Sequence, residues 1–144
     1  MKRPSREDIL MDVAKVFSRR GTCPRGVVGV VIEKEGRIIS TGYVSSAPGD
    51  PHCEDVGCLV ITPEEGCTRT IHAELAAICF AAKNGVSVNG ATMITTLAPC
   101  LNCSKAIFNS GIRKLTYLEN YRDSRGIEFL RRRGVEVSQI YGYE

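Results

Sequence analysis

The 144-residue chain has no tryptophan, two histidines, five tyrosines and four phenylalanines. Its core must therefore be mostly aliphatic, and any imidazole chemistry falls to His52 or His72. No run of 18 apolar residues occurs, which excludes a membrane-spanning helix. Met1-Lys2-Arg3-Pro4-Ser5 carries positive charge with no apolar stretch behind it, so no secretory signal is expected. Basic residues number 19 and acidic ones 16, a net charge of +3 with no long basic run. Such a balance suits a small anionic substrate and lacks the basic stripe of a nucleic-acid binder. Internal repeats, low-complexity tracts and linkers are also missing. A chain of this length is expected to fold as one domain over 1–144, burying roughly 68–70% of its unfolded surface.

Cysteine is what the chain has in excess, seven in all. The number is odd, two of the seven form C-x-x-C, and no export signal precedes them. Thiols used for metal in a cytoplasmic protein are expected in preference to disulfides.

Two short stretches concentrate the chemistry. Thr70-Ile71-His72-Ala73-Glu74 and Ala98-Pro99-Cys100-Leu101-Asn102-Cys103 supply one imidazole and two thiolates. Three such ligands leave the fourth position of a tetrahedral zinc open, the arrangement of a catalytic rather than a structural ion. A zinc of this kind lowers the pKa of a water to about 7. Glu74, which is not needed as a ligand, remains as the proton shuttle. Taken alone, H-x-E is a weak signal, and C-x-x-C could be a redox pair or half of a structural site. Taken together and in this order, with Pro99 before the first cysteine, they are similar to the H-x-E…P-C-x-x-C pattern of zinc-dependent nucleobase deaminases.

Spacing constrains how these residues meet. Positions two apart in a helix point about 200° away from each other, so His72 and Glu74 converge only at a helix start. Cys100 and Cys103, three apart, share a helix face. Both helix N-termini would then turn their positive ends toward the metal.

Around these stretches the sequence predicts a helix over 5–20, N-capped by Ser5, with Ile9, Leu10, Val13, Val16 and Phe17 on its apolar face. A hairpin follows, its strands at 27–34 and 37–43. Periodicity is lost over 44–69, a loop rich in Pro and Gly that is expected to be functional or cross-linked. A helix over 70–84 is to pack through Leu75, Ala76, Ile78, Cys79 and Ala82. Strand 91–96, a helix from Cys100 to just before Gly111, strand 114–119, helix 127–133 and strand 136–141 complete the chain. Helix-linked strands pair in parallel through right-handed crossovers, so the expected fold is a three-layer αβα sandwich around a five-stranded mixed sheet. Cys23, Cys53, Cys58 and Cys67 could hold a second, structural zinc that pins the long loop, with His52 as a substitute ligand. The alternative is four unpaired thiols, some buried as small hydrophobes.

With these residues in place, the chain resembles the deoxycytidylate (dCMP) deaminases of the cytidine-deaminase superfamily over almost its whole length. The resemblance is carried by Cys23-Pro24-Arg25, Gly42-Tyr43, Pro51-His52-Cys53, Gly57-Cys58, Cys67 to Glu74, Gly90-Ala91-Thr92-Met93 and the Pro99-Cys100 helix start. It implies a cytidine-deaminase-like fold and a single zinc-dependent deaminase domain. It also implies hydrolysis of dCMP to dUMP with release of ammonia, feeding thymidylate synthesis. A second zinc on Cys23 and loop cysteines, a homo-oligomer (often a hexamer), and dCTP activation with dTTP inhibition are implied as well. Ala73, Ala98 and Pro99, beside the ligands, are candidate substrate contacts. So are Tyr121, Arg122 and Arg25 for the phosphate, in keeping with ligand binding at the carboxyl edge of α/β sheets.

One departure stands out. Where the family reads Gly-Tyr-Asn-Gly, this chain reads Gly42-Tyr43-Val44-Ser45. The family's asparagine hydrogen-bonds the sugar, which Val44 cannot do through its side chain, leaving Ser45 or Ser46 as polar replacements. Deaminases of bases in RNA or DNA share the motif, but they should show a basic stripe. Free-nucleoside cytidine deaminases typically have cysteine where His72 stands.

Overall fold

The computed structural model describes residues 2–60 and 66–141; Pro63 of the predicted loop lies outside them. The elements in chain order are α1 (Arg6–Ser18), β1 (Gly29–Lys34), β2 (Arg37–Tyr43), β3 (Ser45–Ser46), α2 (Cys53–Val56), β4 (Thr70–Ile71), α3 (Ala73–Lys83), β5 (Thr92–Leu97), α4 (Leu101–Asn109), β6 (Lys114–Glu119), α5 (Arg125–Arg132) and β7 (Glu136–Gln139). Five strands form one mixed sheet in the order β2-β1-β5-β6-β7. In it β1 runs antiparallel to both neighbours, and β5, β6 and β7 are mutually parallel. The expected αβα sandwich with a five-stranded mixed sheet is what forms.

The layers follow from which strand faces are apolar. Val31 and Ile94 point to one side and pack with Leu10, Met11 and Ala14 of α1. Val30, Ile32, Met93 and Leu115 point to the other, under α3, α4 and α5. Ser5 caps α1 through a reciprocal capping box with Asp8. The buried face of α1 keeps Leu10 of the predicted one, with Val13 packed against it, but is otherwise turned: Ile9 and Val16 are 47% and 59% exposed while Met11 and Ala14 are fully buried. The cause is close approach. A Cβ on Gly29 would collide with the Ala14 carbonyl, so α1 lies backbone to backbone on β1 and turns its smallest residue inward.

The same logic corrects α3. Ala73, Ala77 and Ala81 are the residues buried against the sheet, and Cys79 is exposed rather than in the core. Gly42 on β2 makes this possible, because a Cβ there would strike the Ala73 carbonyl and the Ala77 N–H. Alanine facing glycine brings the helix close to the strand. Ser40 Oγ adds a bond to the Ala77 carbonyl at 2.6 Å.

The predicted helix over 70–84 starts three residues late. Thr70 and Ile71 instead pair antiparallel with Ser46 and Ser45, giving a two-stranded sheet beside the main one. The 44–69 segment is therefore partly ordered by backbone pairing, with the short α2 inside it. Among the described residues, no helix is long and apolar enough to cross a membrane.

Candidate active site

Three segment ends meet beyond the carboxyl edge of β5 and β6. The Ala98 N–H donates to the Glu119 carbonyl at 2.8 Å, which ties the end of β5 to the end of β6. Pro99 and Cys100 are thereby set beside the turn that carries Asn120, Tyr121 and Arg122. Cys100 is the N-cap of α4, and its sulfur accepts the Cys103 N–H at 3.5 Å. His72 is the N-cap of α3 with extended backbone, and Glu74 is the second helical residue. Because His72 lies outside the helix proper, the 200° divergence of an (i, i+2) pair does not apply, and both side chains reach one place.

His72 Nδ1 stands 3.2 Å from Cys103 Sγ and 3.6 Å from Cys100 Sγ. The three donor atoms all lie within 4.8 Å of one another. One imidazole nitrogen and two thiols at such spacing fit a tetrahedral zinc with a fourth position left to a small ligand. Electrostatics agree. Hydrogen bonds from the Cys103 thiol first, and then from His72, hold the Cys100 thiol down at about 4. Cys103, which keeps the proton it shares with Cys100, is pushed far up. His72 is raised, chiefly by the Cys100 thiolate. These donors compete for protons in a space that suits a dication.

Glu74 is 5% exposed and makes no ion pair recorded among the described residues. Burial pushes its carboxyl up, against the pull of Cys103 and His72. A carboxyl with a raised pKa, buried beside the ligand cluster, has the properties of a proton shuttle.

His72, Glu74 and Cys100 line a cavity of about 370 Å³, within the size range of small-molecule sites, and Cys103 is buried beside them. Of the residues singled out in the sequence, Ala73, Ala98, Val44, Tyr121, Arg122 and Arg25 line it. Pro99 is buried and does not. Ser45 does not either; it belongs to a different cavity with Ser46 and His52. Alternation along the chain explains this, since Val44 turns inward toward the catalytic cavity and its neighbours turn away. Asn120 and Val28 also line the catalytic cavity and were not anticipated. Asn120 directly precedes the flagged Tyr121 at the end of β6, so its position was a usable signal. Val28, just before β1, had none.

A second cluster lies nearby. The sulfurs of Cys53, Cys58 and Cys67 are within 4.8 Å of one another, with Cys53 and Cys67 3.6 Å apart. Cys23 stands outside that radius, close enough for its charge to act on Cys58. His52 is not in the cluster. Burial pushes Cys53 up to about 12. Burial also opposes ionisation of Cys67, but backbone N–H groups of Arg69, Leu59 and Thr70 pull it down to about 7. The Leu59 N–H lies 3.3 Å from the Cys67 sulfur. A sulfur surrounded by N–H donors, beside two further thiols, fits a thiolate bound to a metal.

The fold and this ligand set define a zinc-binding deaminase class. The model of the cytidine and deoxycytidylate deaminase zinc-binding region matches residues 4–119, and the chain belongs to that family. ComE operon protein 2 of Bacillus subtilis (strain 168) is 39% identical over 141 residues, which cover 97% of this chain and 74% of that protein. The deoxycytidylate deaminase of Enterobacteria phage T4 is 37% identical over a 169-residue alignment covering 91% of this chain and 88% of the phage protein. Among solved structures, the dCMP deaminase of cyanophage S-TIM5 in complex with dCMP and dUMP superposes with a TM-score of 0.84. It is 30% identical, with 97% of this chain and all of that chain covered.

Proposed function

We propose that this chain is a zinc-dependent deaminase that hydrolyses dCMP, or a 5-modified dCMP, to dUMP or its 5-modified counterpart with release of ammonia, supplying dUMP for thymidylate synthesis. The observation that carries the reading is the convergence of His72, Cys100 and Cys103, with His72, Cys100 and the buried Glu74 lining a cavity that also presents Arg25, Tyr121 and Arg122. When bound to His72, Cys100 and Cys103, zinc supplies the Lewis acidity that makes a water nucleophilic near neutral pH. Glu74 takes one proton of the attacking water and places it on the ring nitrogen beside C4, then takes the second from the new C4 hydroxyl and passes it to the amino group as it leaves. Water adds, ammonia departs, and the carboxylate ends as it began. Arg25, Tyr121 and Arg122 hold the 5′-phosphate; Val44 presents an apolar surface where the sugar lies. Relatives bearing the name deoxycytidylate deaminase and a neighbouring structure with dCMP and dUMP bound support this substrate.

The experiment is ammonia release from purified, zinc-loaded protein against a panel of cytosine nucleosides, mononucleotides and oligonucleotides. Turnover of dCMP or a 5-modified dCMP above the rest is expected. Activity confined to oligonucleotides would move the substrate to nucleic acid, and silence with every mononucleotide would end the reading.

Further features of the reading concern partners and place. Cys53, Cys58 and Cys67 with Cys23 hold a second, structural zinc; two zinc ions per chain are expected by elemental analysis, and one removes this site. A second cavity of about 380 Å³, between the end of α1 and the 43–54 segment, is assigned to the regulators dCTP and dTTP. Its support is that Thr22 Oγ1, Ser46 Oγ and His52 Nδ1 are buried there with no hydrogen-bond partner among the described residues, beside Arg19 and Arg20. Titration of dCTP against the Glu74→Gln variant tests it, since turnover cannot then mask binding. The chain acts as one deaminase domain in the cytoplasm and assembles into a homo-oligomer, a hexamer in the first instance. The exposed Ile9, Val16 and Phe80 offer apolar surface for contacts between subunits. Light scattering of the eluting protein gives the subunit count.

A further inference from the structure

The two cysteine-bearing centres are not independent in space. Cys67 and Cys23 line the same cavity as His72, Glu74 and Cys100, so the loop cluster forms part of the wall of the substrate site. Two chain segments lead out of that wall. One runs from Cys67 along β4 to His72, and Arg69 Nε on it donates to the Gly57 carbonyl at 3.2 Å. The other runs from Cys23 to Arg25, which also lines the cavity.

The second segment is weakly held. Pro24, Arg25, Gly26 and Val27 are all exposed, and a Cβ placed on Gly26 would meet nothing within 4 Å. The turn closes on itself through the Gly26 N–H and the Cys23 carbonyl at 3.2 Å. Its inner end is better fixed. Cys23 packs against the main core, and the neighbouring Thr22 N–H donates to the Val44 carbonyl at 3.0 Å. Arg25 sits two residues beyond that anchor, where a long cationic side chain loses much rotamer freedom when it engages a phosphate. An anchor that orders the turn beforehand removes part of that cost.

We infer that the Cys23 thiolate, drawn into the Cys53–Cys58–Cys67 cluster, is a tether that orders the Arg25 turn over the catalytic cavity, so that the loop cluster acts as a positioning device for recognition of the substrate's 5′-phosphate. This rests on the second-zinc reading above. It assigns the cluster a role beyond holding the long loop. Cys23 contacts no substrate in this scheme and works through Arg25.

Cys23→Ser is the discriminating variant, because the three sulfurs already gathered within 4.8 Å remain to hold the metal while the tether is cut. Binding of dUMP and of deoxyuridine to zinc-loaded protein is measured by calorimetry, the pair differing only in the phosphate. Wild type should prefer dUMP by about tenfold or more, the worth of one charge-assisted hydrogen bond. In Cys23→Ser that preference should fall to within about threefold, with deoxyuridine affinity unchanged and two zinc ions retained. Arg25→Ala should lose the same preference, and the double variant no more than either. Trypsin gives a second readout, since cleavage after Arg25 should quicken in Cys23→Ser. An undiminished preference for dUMP with unchanged cleavage in Cys23→Ser overturns the inference while leaving the second zinc standing. A single zinc per wild-type chain removes the second-zinc reading and the inference with it.

Discussion

The two cysteine clusters of this molecule use the same thiol chemistry on different supports. His72 and Cys100 cap the first turns of α3 and α4; α3 is seated on the sheet by alanines, and α4 packs against α5 and α3. Cys53 lies in the four-residue α2, while Cys58 and Cys67 lie in loop backbone whose order comes from short-range bonds such as Thr68 N–H to the Leu59 carbonyl at 2.7 Å. The helix-borne cluster mixes nitrogen with sulfur and has a buried carboxyl beside it. Among the described residues the loop-borne cluster is sulfur alone, with no carboxylate in its group. A centre meant to react needs an open position and a proton carrier, and needs both held by elements that do not move. A centre meant to bind a loop needs only enough sulfur to close around an ion, and the ion itself then supplies rigidity.

That contrast can be broken from either side. The largest effect is expected at the helix-borne centre. Glu74→Gln should lower turnover by about 10²–10⁴ while zinc content stays at the wild-type value, as measured by ammonia release and elemental analysis. Retained turnover would strip Glu74 of its part and make the two centres chemically alike. Next in size is Cys58→Ser, which should cost the loop its metal. A loss of about 3 kcal/mol would lower the melting temperature by roughly 10 °C in a chain of this size, read by calorimetry with and without added zinc. An unchanged melting temperature would mean the loop cluster is no staple.

A subtler probe acts on support rather than ligands. Gly42→Ala should destabilise by about 1–3 kcal/mol through overpacking against α3, seen as a lower urea midpoint. It should weaken the zinc site on His72 more than that on the loop. The smallest effect is an ordering of thiols. After chelation, Cys67 at about 7 is largely thiolate at pH 8, while Cys53 at about 12 is almost wholly thiol. Iodoacetamide at that pH should therefore label Cys67 well before Cys53, by peptide mass spectrometry; the gap should close as pH rises toward 12.

Legibility differed along the chain for physical reasons. Capping by Ser5, the hairpin, the parallel crossovers and the two halves of the zinc motif rest on local rules of spacing and turn chemistry, and these the residues state openly. Apolar periodicity weighs large side chains, so it places Leu10 and Ile78 on the core side correctly but also turns inward Ile9, Val16 and Cys79, which are exposed. The buried positions went to alanines, where Gly29 and Gly42 let backbones touch. Nothing local forbids helix from Thr70 onward; pairing with Ser45 and Ser46, distant in sequence, makes Thr70 and Ile71 a strand instead. The opposite facings of Val44 and Ser45 depend on that same pairing.

The sequence by itself determined the chemistry, since an H-x-E before a P-C-x-x-C supplies donors, a leftover carboxyl and two helix starts in two short stretches. Only the tertiary structure decided which other groups share that chemistry. It brought Arg25, Asn120 and Tyr121 to one cavity, put Ser45 in another, left His52 out of the loop cluster and made Cys67 a wall common to both centres. Such neighbours come together through sheet order and close helix packing, which no short stretch of residues encodes.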